Sequence, residues 1–357
     1  MDFHNLVPLV SVLIPVYQAQ PYLRECIDSV LSQPFRNYEL ILCDDGSSDE
    51  SGTICEAYAR KDSRVTVLHR RNSGNFDARK TLLQAARGDY ILFIDADDYI
   101  DPDTLQQAVS AALAQNSDIV MFGHRTVADN GELITEVCHH FPEGTMRDDE
   151  LTVVYRQLCT GSALNYLWDK LIRRSAFASS RSTPSVPKSD FKGGDICQML
   201  EVMRSVTSFS YIDRPLYSYR QSSTGMGRRF RLHFFADARM LYGCRLGFLS
   251  DMLQNDPEIK KDMQRAYLTA LTSRIMSAVH CRCYSFSQLH AAFEEERNAA
   301  AFADALQGGS VKGETALHSL TLRLFRHKWD RTVVLLLRVE QDLLSVVRRR
   351  PRKHTGQ

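Results

Sequence analysis

Tyr90-Ile-Leu-Phe-Ile-Asp-Ala-Asp-Asp-Tyr-Ile-Asp-Pro-Asp103 joins an unbroken apolar run, Ile91 to Ile94, to the carboxylates of Asp95, Asp97 and Asp98. A short apolar run bounded by polar residues suits a strand buried on both faces, the pattern of a parallel sheet. The carboxyl ends of such strands form the crevice where ligands sit. Acids at i and i+2 of an extended segment point the same way, so Asp95 and Asp97 are placed to share one hard cation. A divalent metal there would bridge the protein to a diphosphate, which carboxylates alone would repel. The competing reading is an ordinary solvated pair of aspartates, and the preceding segments decide between the two.

Upstream, Val7–Tyr17 reads as a first buried strand, with Pro15 marking its end. Leu23, Cys26, Ile27, Val30 and Leu31 then recur at helical spacing, with Pro21 in the first turn and Pro34 as the stop. Tyr38–Cys43 is a second strand running into Asp44-Asp-Gly-Ser-Ser-Asp49, where Ser47 and Glu50 fit a capping box. Val65–His69 is a third strand. Asn72–Asn75 is a turn, and the helix after it runs through Ala86 and closes at Arg87-Gly88. Downstream, Pro102–Gln115 is a helix and Asp118–Phe122 a strand. This alternation predicts an α/β fold with a doubly wound, mostly parallel sheet flanked by helices. Right-handed crossovers place all these strand ends on one edge.

Composition sets the bounds. The 357 residues are 44% hydrophobic and 24% charged, enough for a large core. A formal net charge of +1 gives no global field for nucleic acid. No apolar run approaches the roughly 18–20 residues of a spanning helix, and Met1–Val7, with Asp2 and no basic cluster, does not read as a signal peptide. Nine scattered cysteines, an odd number in mostly apolar segments, fit reduced thiols of a cytoplasmic protein better than a disulfide framework. Cys281-Arg-Cys283 lacks a second pair that would complete a soft-metal site, and His139-His140 reads as an exposed loop pair, with metal binding as the lesser alternative.

Val12-Leu-Ile-Pro-Val-Tyr17, Asp44-Asp-Gly-Ser-Ser-Asp49, Asn72-Ser-Gly74 with Ala78-Arg79, and Asp95-Ala-Asp-Asp98 stand in an order and spacing that resemble the family 2 glycosyltransferases. The resemblance covers roughly residues 9–225. It implies the Rossmann-like GT-A fold, transfer with inversion at the sugar, a nucleoside-diphosphate sugar as donor (a UDP-sugar by family habit), and Mn2+ or Mg2+. It further implies that Asp95 and Asp97 hold the metal. The donor would lie against Pro15, Val16, Tyr17, Asp44, Arg79, Asp95 and Ala96, with Asp44 accepting from uracil N3–H, Arg79 reaching base or phosphates, and Tyr17 stacking on the base. Tyr166-Leu-Trp-Asp-Lys-Leu looks like the family's Trp-Asn-Lys-Leu segment, and Phe191-Lys-Gly-Gly-Asp-Ile196 looks like its Gly-Glu-Asp segment, whose aspartate is the catalytic base; here that is Asp195. The departure is Gly194 in place of glutamate, and Lys80 stands where asparagine often follows the arginine. Leu216-Tyr-Ser-Tyr-Arg220 resembles the stretch that closes the catalytic domain.

Plainer readings stand beside these. Asp45, Gly46 and Ser47 suit turn chemistry. Asp98 reads as a supporting or solvated acid, and Asp195 alone would read as a helix N-terminal acid. Trp168 is divided between acceptor platform and core residue. Lys170 leans to phosphate over a nearby acid. Arg220 reads as a surface arginine, or as a diphosphate ligand if a loop closes.

Gly123–Thr152 reads as an antiparallel excursion turning at Asp129-Asn130-Gly131, and Ser179–Lys188 as a polar loop able to order over bound donor. The catalytic region is expected over residues 1–227 and an appended helical region over 228–357, with helices at Phe234–Met252, Glu258–Val279, Ser287–Leu306 and Leu317–Arg326, and a linker at Gly308–Gly313. In Thr332–Val347, Leu336, Val339, Leu343, Val346 and Val347 form one apolar face ahead of the basic Arg348–Lys353, allowing a helix that lies on an anionic membrane surface. The leading expectation is a metal-dependent enzyme adding one sugar to a glycan or lipid-linked acceptor of a surface polysaccharide, in the cytoplasm or on the inner face of the membrane. The alternative, motivated by Gly194, is a nucleotide-sugar-binding scaffold without turnover. A nucleotidyltransferase or nicotinamide dehydrogenase would want an early glycine-rich loop, and Leu9–Gln20 contains no glycine.

Overall fold

Val10–Val16 (β1), Tyr38–Asp44 (β2) and Tyr90–Phe93 (β4) are buried along almost their whole length, which is why each reads as a continuous apolar run. The computed structural model describes residues 7–139, 141–142, 144–177, 193–221, 231–308 and 315–348. β1 lies between β2 and β4, parallel to both, and β2 pairs in parallel with Val65–His69 (β3) at the edge. Beyond β4 the sheet changes character. Lys170–Arg173 (β9) inserts antiparallel between β4 and Ile119–Ala128 (β6), and Ser208–Gln221 (β10) runs parallel to β6. The order β3-β2-β1-β4-β9-β6-β10-β5 ends on the short Tyr99–Ile100 (β5), antiparallel to β10. Leu133–Val137 (β7) and Thr145–Arg147 (β8) add antiparallel edges to β6 and β10.

Leu23–Leu31 (α1), Ser51–Ala59 (α2), Asn75–Ala85 (α3) and Thr104–Gln115 (α4) pack on this sheet, and Leu151–Thr160 (α5) and Gly194–Met203 (α6) are the helices that follow in this part of the chain. Three details depart from expectation. The capping box at Ser47 and Glu50 is absent, and α2 begins only at Ser51. The Ser47 hydroxyl instead accepts from Gln18 N (3.1 Å) and that of Ser51 from Ala19 N (3.0 Å), so the loop polar groups tie the β1 end to the β2 end. β6 does not stop at Phe122; partners on both sides carry it to Ala128, where a turn with Gly131 at φ 81° returns it as β7. Gly88 is required for contact rather than for a cap: a Cβ there would lie 2.5 Å from Ser11 N. That close approach lets Gly88 N donate to Ser11 Oγ, which donates to the buried Glu39.

Asp118 fastens the start of β6. It accepts from Thr207 N and Thr207 Oγ1, both at 2.8 Å, and from Arg173 Nε at 2.9 Å. Burial alone would raise its pKa, but these donors outweigh burial and hold it below the ordinary aspartate value. A carboxylate with a depressed folded-state pKa stabilises the fold above its unfolded pKa, about 3.9, and that stability is lost as pH falls toward the folded value. Asp118→Asn is therefore expected to cost about 2 kcal/mol at pH 7, with the gap from wild type narrowing in urea titrations as pH drops below about 4.

The chain divides by its contacts into Met1–Leu158 with Ser162–Gly225, and Cys159–Gly161 with Met226–Gln357. In the second unit the helices are Phe234–Leu253 (α7), Pro257–His280 (α8), Phe286–Arg297 (α9), Ala300–Ala305 (α10), Ala316–Arg326 (α11) and Asp330–Arg348 (α12). The helix expected over Ser287–Leu306 is two, because Ala299 is extended (ψ 139°). The bend turns Phe302 onto Phe325 at a 5.5 Å centroid distance. In α12, Val339 and Leu343 of the expected apolar face are exposed, in a row with Leu335 at four-residue spacing, whereas Val333, Val334 and Leu337 form a second, buried set. No helix among the described residues is long and apolar enough to cross a membrane. The expected loop at Ser179–Lys188, most of the linker at Gly308–Gly313 and the tail from Arg349 lie outside the described residues.

Candidate active site

β4 ends in a tight turn in which Asp98 N donates to Asp95 O (3.0 Å), and the chain re-enters the sheet as β5. Asp98 faces inward: its carboxylate accepts from Tyr217 Oη (2.6 Å) and from Arg220 N (2.7 Å), so β10 holds the acid loop in place. Asp98 is thus a buried support, and burial, with Asp97 and Asp95 adding repulsion, pushes its pKa well above the usual range. Asp95 and Asp97 remain partly accessible. Burial, with the charges of Asp195 and Asp97 against the pull of Arg79, brings the Asp95 pKa to about 6. Burial also raises that of Asp97.

Arg79, on α3, is the centre of the site. One guanidinium nitrogen reaches Asp95 Oδ1 at 3.0 Å and the other pairs with Asp195 in the first turn of α6. Its side chain is 4% exposed, against 28% and 29% for Asp95 and Asp195. Burial opposes the charge, but the two carboxylates outweigh it and leave the Arg79 pKa above its ordinary value. The acid loop and the aspartate expected to be the base, 100 residues apart in sequence, thus share one buried cation.

The β2 end builds the neighbouring edge. Asp44 accepts from Ser47 N (3.0 Å) and contacts His69 Nδ1 (3.2 Å), whose Nε2 lies 2.8 Å from Glu56. Glu56 first, then Asp44, raise the His69 pKa against its desolvation. A carboxylate carries about four acceptor positions, so Asp44 retains capacity for an imide N–H. Asp45 accepts from Ser73 N and Gly74 N (2.8 Å) and pairs with Arg70, which fixes the turn leading into α3 and Arg79. Val16 O accepts from Asp45 N (2.9 Å), joining the first expected donor segment to the second. Pro15 is half-buried, Val16 and Ala96 are buried, and Tyr17 is 46% exposed at the rim. His69 escaped the sequence reading; the register that pairs it with Asp44 was its only signal.

Three expected contact residues are placed otherwise. Lys170 has no accessible surface, pairs with Asp169 and donates to Tyr166 O (2.7 Å), so it is taken by a nearby acid rather than open to a phosphate. Arg220 is buried: it donates to Asp97 O (3.0 Å), Asp129 O (2.9 Å) and Glu25 (2.6 Å), bracing the acid loop instead of standing at the surface or free for a diphosphate. Trp168 is a core residue in a ring stack, 4.4 Å from Tyr217, 4.8 Å from Tyr166 and 5.8 Å from Tyr219. The exposed members of that stack are Tyr166 and Tyr219, at 41% and 40%.

A family model described as glycosyl transferase family 2 matches residues 11–178. A putative glycosyltransferase of Bacillus subtilis, EpsH, is 30% identical over 68% of this chain and 70% of its own length. The chain belongs to glycosyl transferase family 2. A second B. subtilis relative, the uncharacterized glycosyltransferase EpsJ, is 32% identical over 62% of the chain and 63% of its own length. Among solved structures, Staphylococcus aureus TarS 1–349 in complex with UDP-GlcNAc superposes with a TM-score of 0.70 at 17% identity, over 93% of this chain and 91% of that one. The fold is accordingly the mixed, mostly parallel sheet flanked by helices, with C-terminal helices, that was expected from the sequence.

Within this glycosyltransferase, Gly194 opens α6 after Gly193 at φ 138°. Among the described residues, a Cβ on Gly194 would meet only Phe76 Cδ2, at 4.0 Å. The first side-chain carbon of the glutamate that the resemblance places there meets no close contact among the described residues. Gly194→Glu is expected to leave Tm within about 2 °C of wild type, since a Cβ there meets no described atom closer than van der Waals distance; a drop above about 5 °C in a thermal melt would show that the site is closed to it.

Proposed function

We propose that the chain is a metal-dependent, inverting glycosyltransferase that moves a sugar from a UDP-sugar to a hydroxyl of a glycan or lipid-linked acceptor in surface polysaccharide synthesis. The observation that carries this reading is Arg79 bridging Asp95 and Asp195, which sets a carboxylate for proton removal beside the acids suited to a metal. The residues fit a hard cation: Asp97 pairs with no cationic side chain among the described residues, and Asp95 and Asp97 offer oxygen donors only. Mn2+ or Mg2+ bound there would supply positive charge to the leaving diphosphate. Asp195 takes the proton of the acceptor hydroxyl as its oxygen attacks the anomeric carbon. A single in-line displacement breaks the bond to the diphosphate and inverts that carbon. Asp44 accepts from the base of the donor, while Pro15, Val16, Ala96 and the exposed ring of Tyr17 enclose it. Tyr166 and Tyr219, rather than Trp168, present the faces on which an acceptor sugar stacks.

A donor of this kind is supported by the solved likeness to TarS with UDP-GlcNAc, and the polysaccharide setting by a 33% identical putative teichuronic acid biosynthesis glycosyltransferase of B. subtilis, matched over 41% of this chain and 58% of its own length. The exposed Leu335–Val339–Leu343 row supports peripheral contact with a membrane. The deciding experiment titrates UDP, GDP, CDP and ADP by calorimetry with and without Mn2+. UDP binding that requires metal and is lost in Asp97→Ala supports the reading. Binding of a different nucleotide changes the donor, and binding of none refutes the enzyme.

A further inference from the structure

His124, His139 and Asp169 converge from three neighbouring parts of the sheet. His124 is on β6, His139 follows β7, and Asp169 immediately precedes β9, where Asp169 O accepts from Phe122 N at 3.0 Å. One ligand atom from each of the three lies within 4.8 Å of the others. Two of the groups are buried and incompletely satisfied: among the described residues, His124 Nδ1 and Asp169 Oδ2 have no hydrogen-bond partner, at 8% and 0% exposure. A buried carboxylate oxygen and a buried imidazole nitrogen left without partners are each costly, and a shared cation is the simplest group to satisfy both. We propose that His124, His139 and Asp169 form a binding site for a transition-metal dication of the Zn2+ class, separate from the acid loop at Asp95 and Asp97.

The donor chemistry favours this class. Two imidazoles and one carboxylate suit Zn2+ and its neighbours, whereas Mg2+ and Mn2+ prefer all-oxygen sites. Ligand atoms around a tetrahedral Zn2+ stand about 3.4 Å apart, so small side-chain rotations close a 4.8 Å cluster onto the ion. Burial, with His139 and Lys170 nearby, lowers the His124 pKa to about 4, which keeps the imidazole neutral, as a ligand must be. Lys170 occupies the other oxygen of Asp169 and so fixes the orientation of that carboxylate. Its charge opposes the dication, which makes tight imidazole coordination necessary. The site would clip β6, β7 and β9 together behind the stack in which Trp168 lies edge-on to His124, at 4.9 Å and 90°. This inference does not depend on the reaction proposed above.

The test uses the full chain carrying Asp97→Ala, so that the acid-loop site is disabled. After chelator treatment the protein is titrated with Zn2+ against a chromogenic competitor and, separately, with Co2+ while its visible absorption is followed. The expected result is about one Zn2+ per chain and an intense, tetrahedral-type Co2+ spectrum. His124→Gln, His139→Gln and Asp169→Asn should each weaken binding more than about 100-fold, since loss of even an outer-shell partner costs about 10–100-fold. His139 is half-buried, so His139→Gln is the variant expected to fold, and its metal-free melting curve checks that it does. Zn2+ binding that survives His139→Gln, that disappears with Cys281→Ser instead, or that never rises above background in the folded chain overturns the proposal.

Discussion

Asp195→Asn is expected to lower kcat by about 10²–10⁴-fold while leaving metal-dependent UDP affinity nearly unchanged. The amide keeps the size of the carboxylate and retains an oxygen to accept from Arg79, so the buried cation stays partnered and α6 keeps its place. What it lacks is the capacity to take a proton from an attacking hydroxyl. The loss therefore belongs in the chemical step, not in donor binding. A purely structural role for Asp195 would show the reverse: lower Tm and weaker UDP binding with kcat nearly preserved among correctly folded molecules. Steady-state transfer assays, with calorimetric UDP titrations on the same preparation, separate the two. Transfer that continues undiminished would remove Asp195 as the base and reopen the scaffold reading that Gly194 first suggested.

How much of this was legible in the sequence follows from the range of the forces involved. β1, β2 and β4 announced themselves because a parallel strand buried on both faces must be apolar at every position, and Ile91–Ile94 ending in acids is a local pattern. The placement of Asp95 and Asp97 at a strand end followed from the same locality. β9 was hidden: Lys170–Arg173 carries charge at both ends, and only pairing with β4 and β6 makes a strand of it. Lys170 was misassigned for a related reason. A lysine looks like a free cation in sequence, whereas here Asp169 beside it neutralises it in the interior. Arg220 and Trp168 were placed by type rather than by surroundings, and their surroundings come from Glu25, Asp97, Asp129 and Tyr217, remote in sequence. In α12 the spacing showed the open face but not the covered one: Val339 and Leu343 of the expected face stand exposed, while Val333, Val334 and Leu337, outside the expected stripe, pack inward. Amphipathic spacing reveals that a helix has an apolar stripe without saying whether a neighbouring helix covers it.

Arg79→Met should have the largest combined effect of any single change. The methionine fills much of the space of the arginine stem but leaves Asp95 and Asp195 facing each other without the cation between them. Removing one partner from a buried ion pair costs about 3–5 kcal/mol, and the residual exposure of 28% and 29% at the two carboxylates places this case toward the lower end. Urea denaturation should therefore show a loss of about 3 kcal/mol. Activity should fall at least as far as in Asp195→Asn, because the acid expected to hold the metal and the proposed base both lose their common anchor. The two substitutions act on one unit, so their effects should not add: Arg79→Met introduced into Asp195→Asn should cost clearly less kcat than it costs in wild type. Strict additivity in that double-mutant cycle would mean that Arg79 stabilises the fold without positioning Asp195. A strong shortfall from additivity, with UDP affinity weakened by Arg79→Met alone, would mean that a single buried guanidinium sets the distance between the donor site and the base.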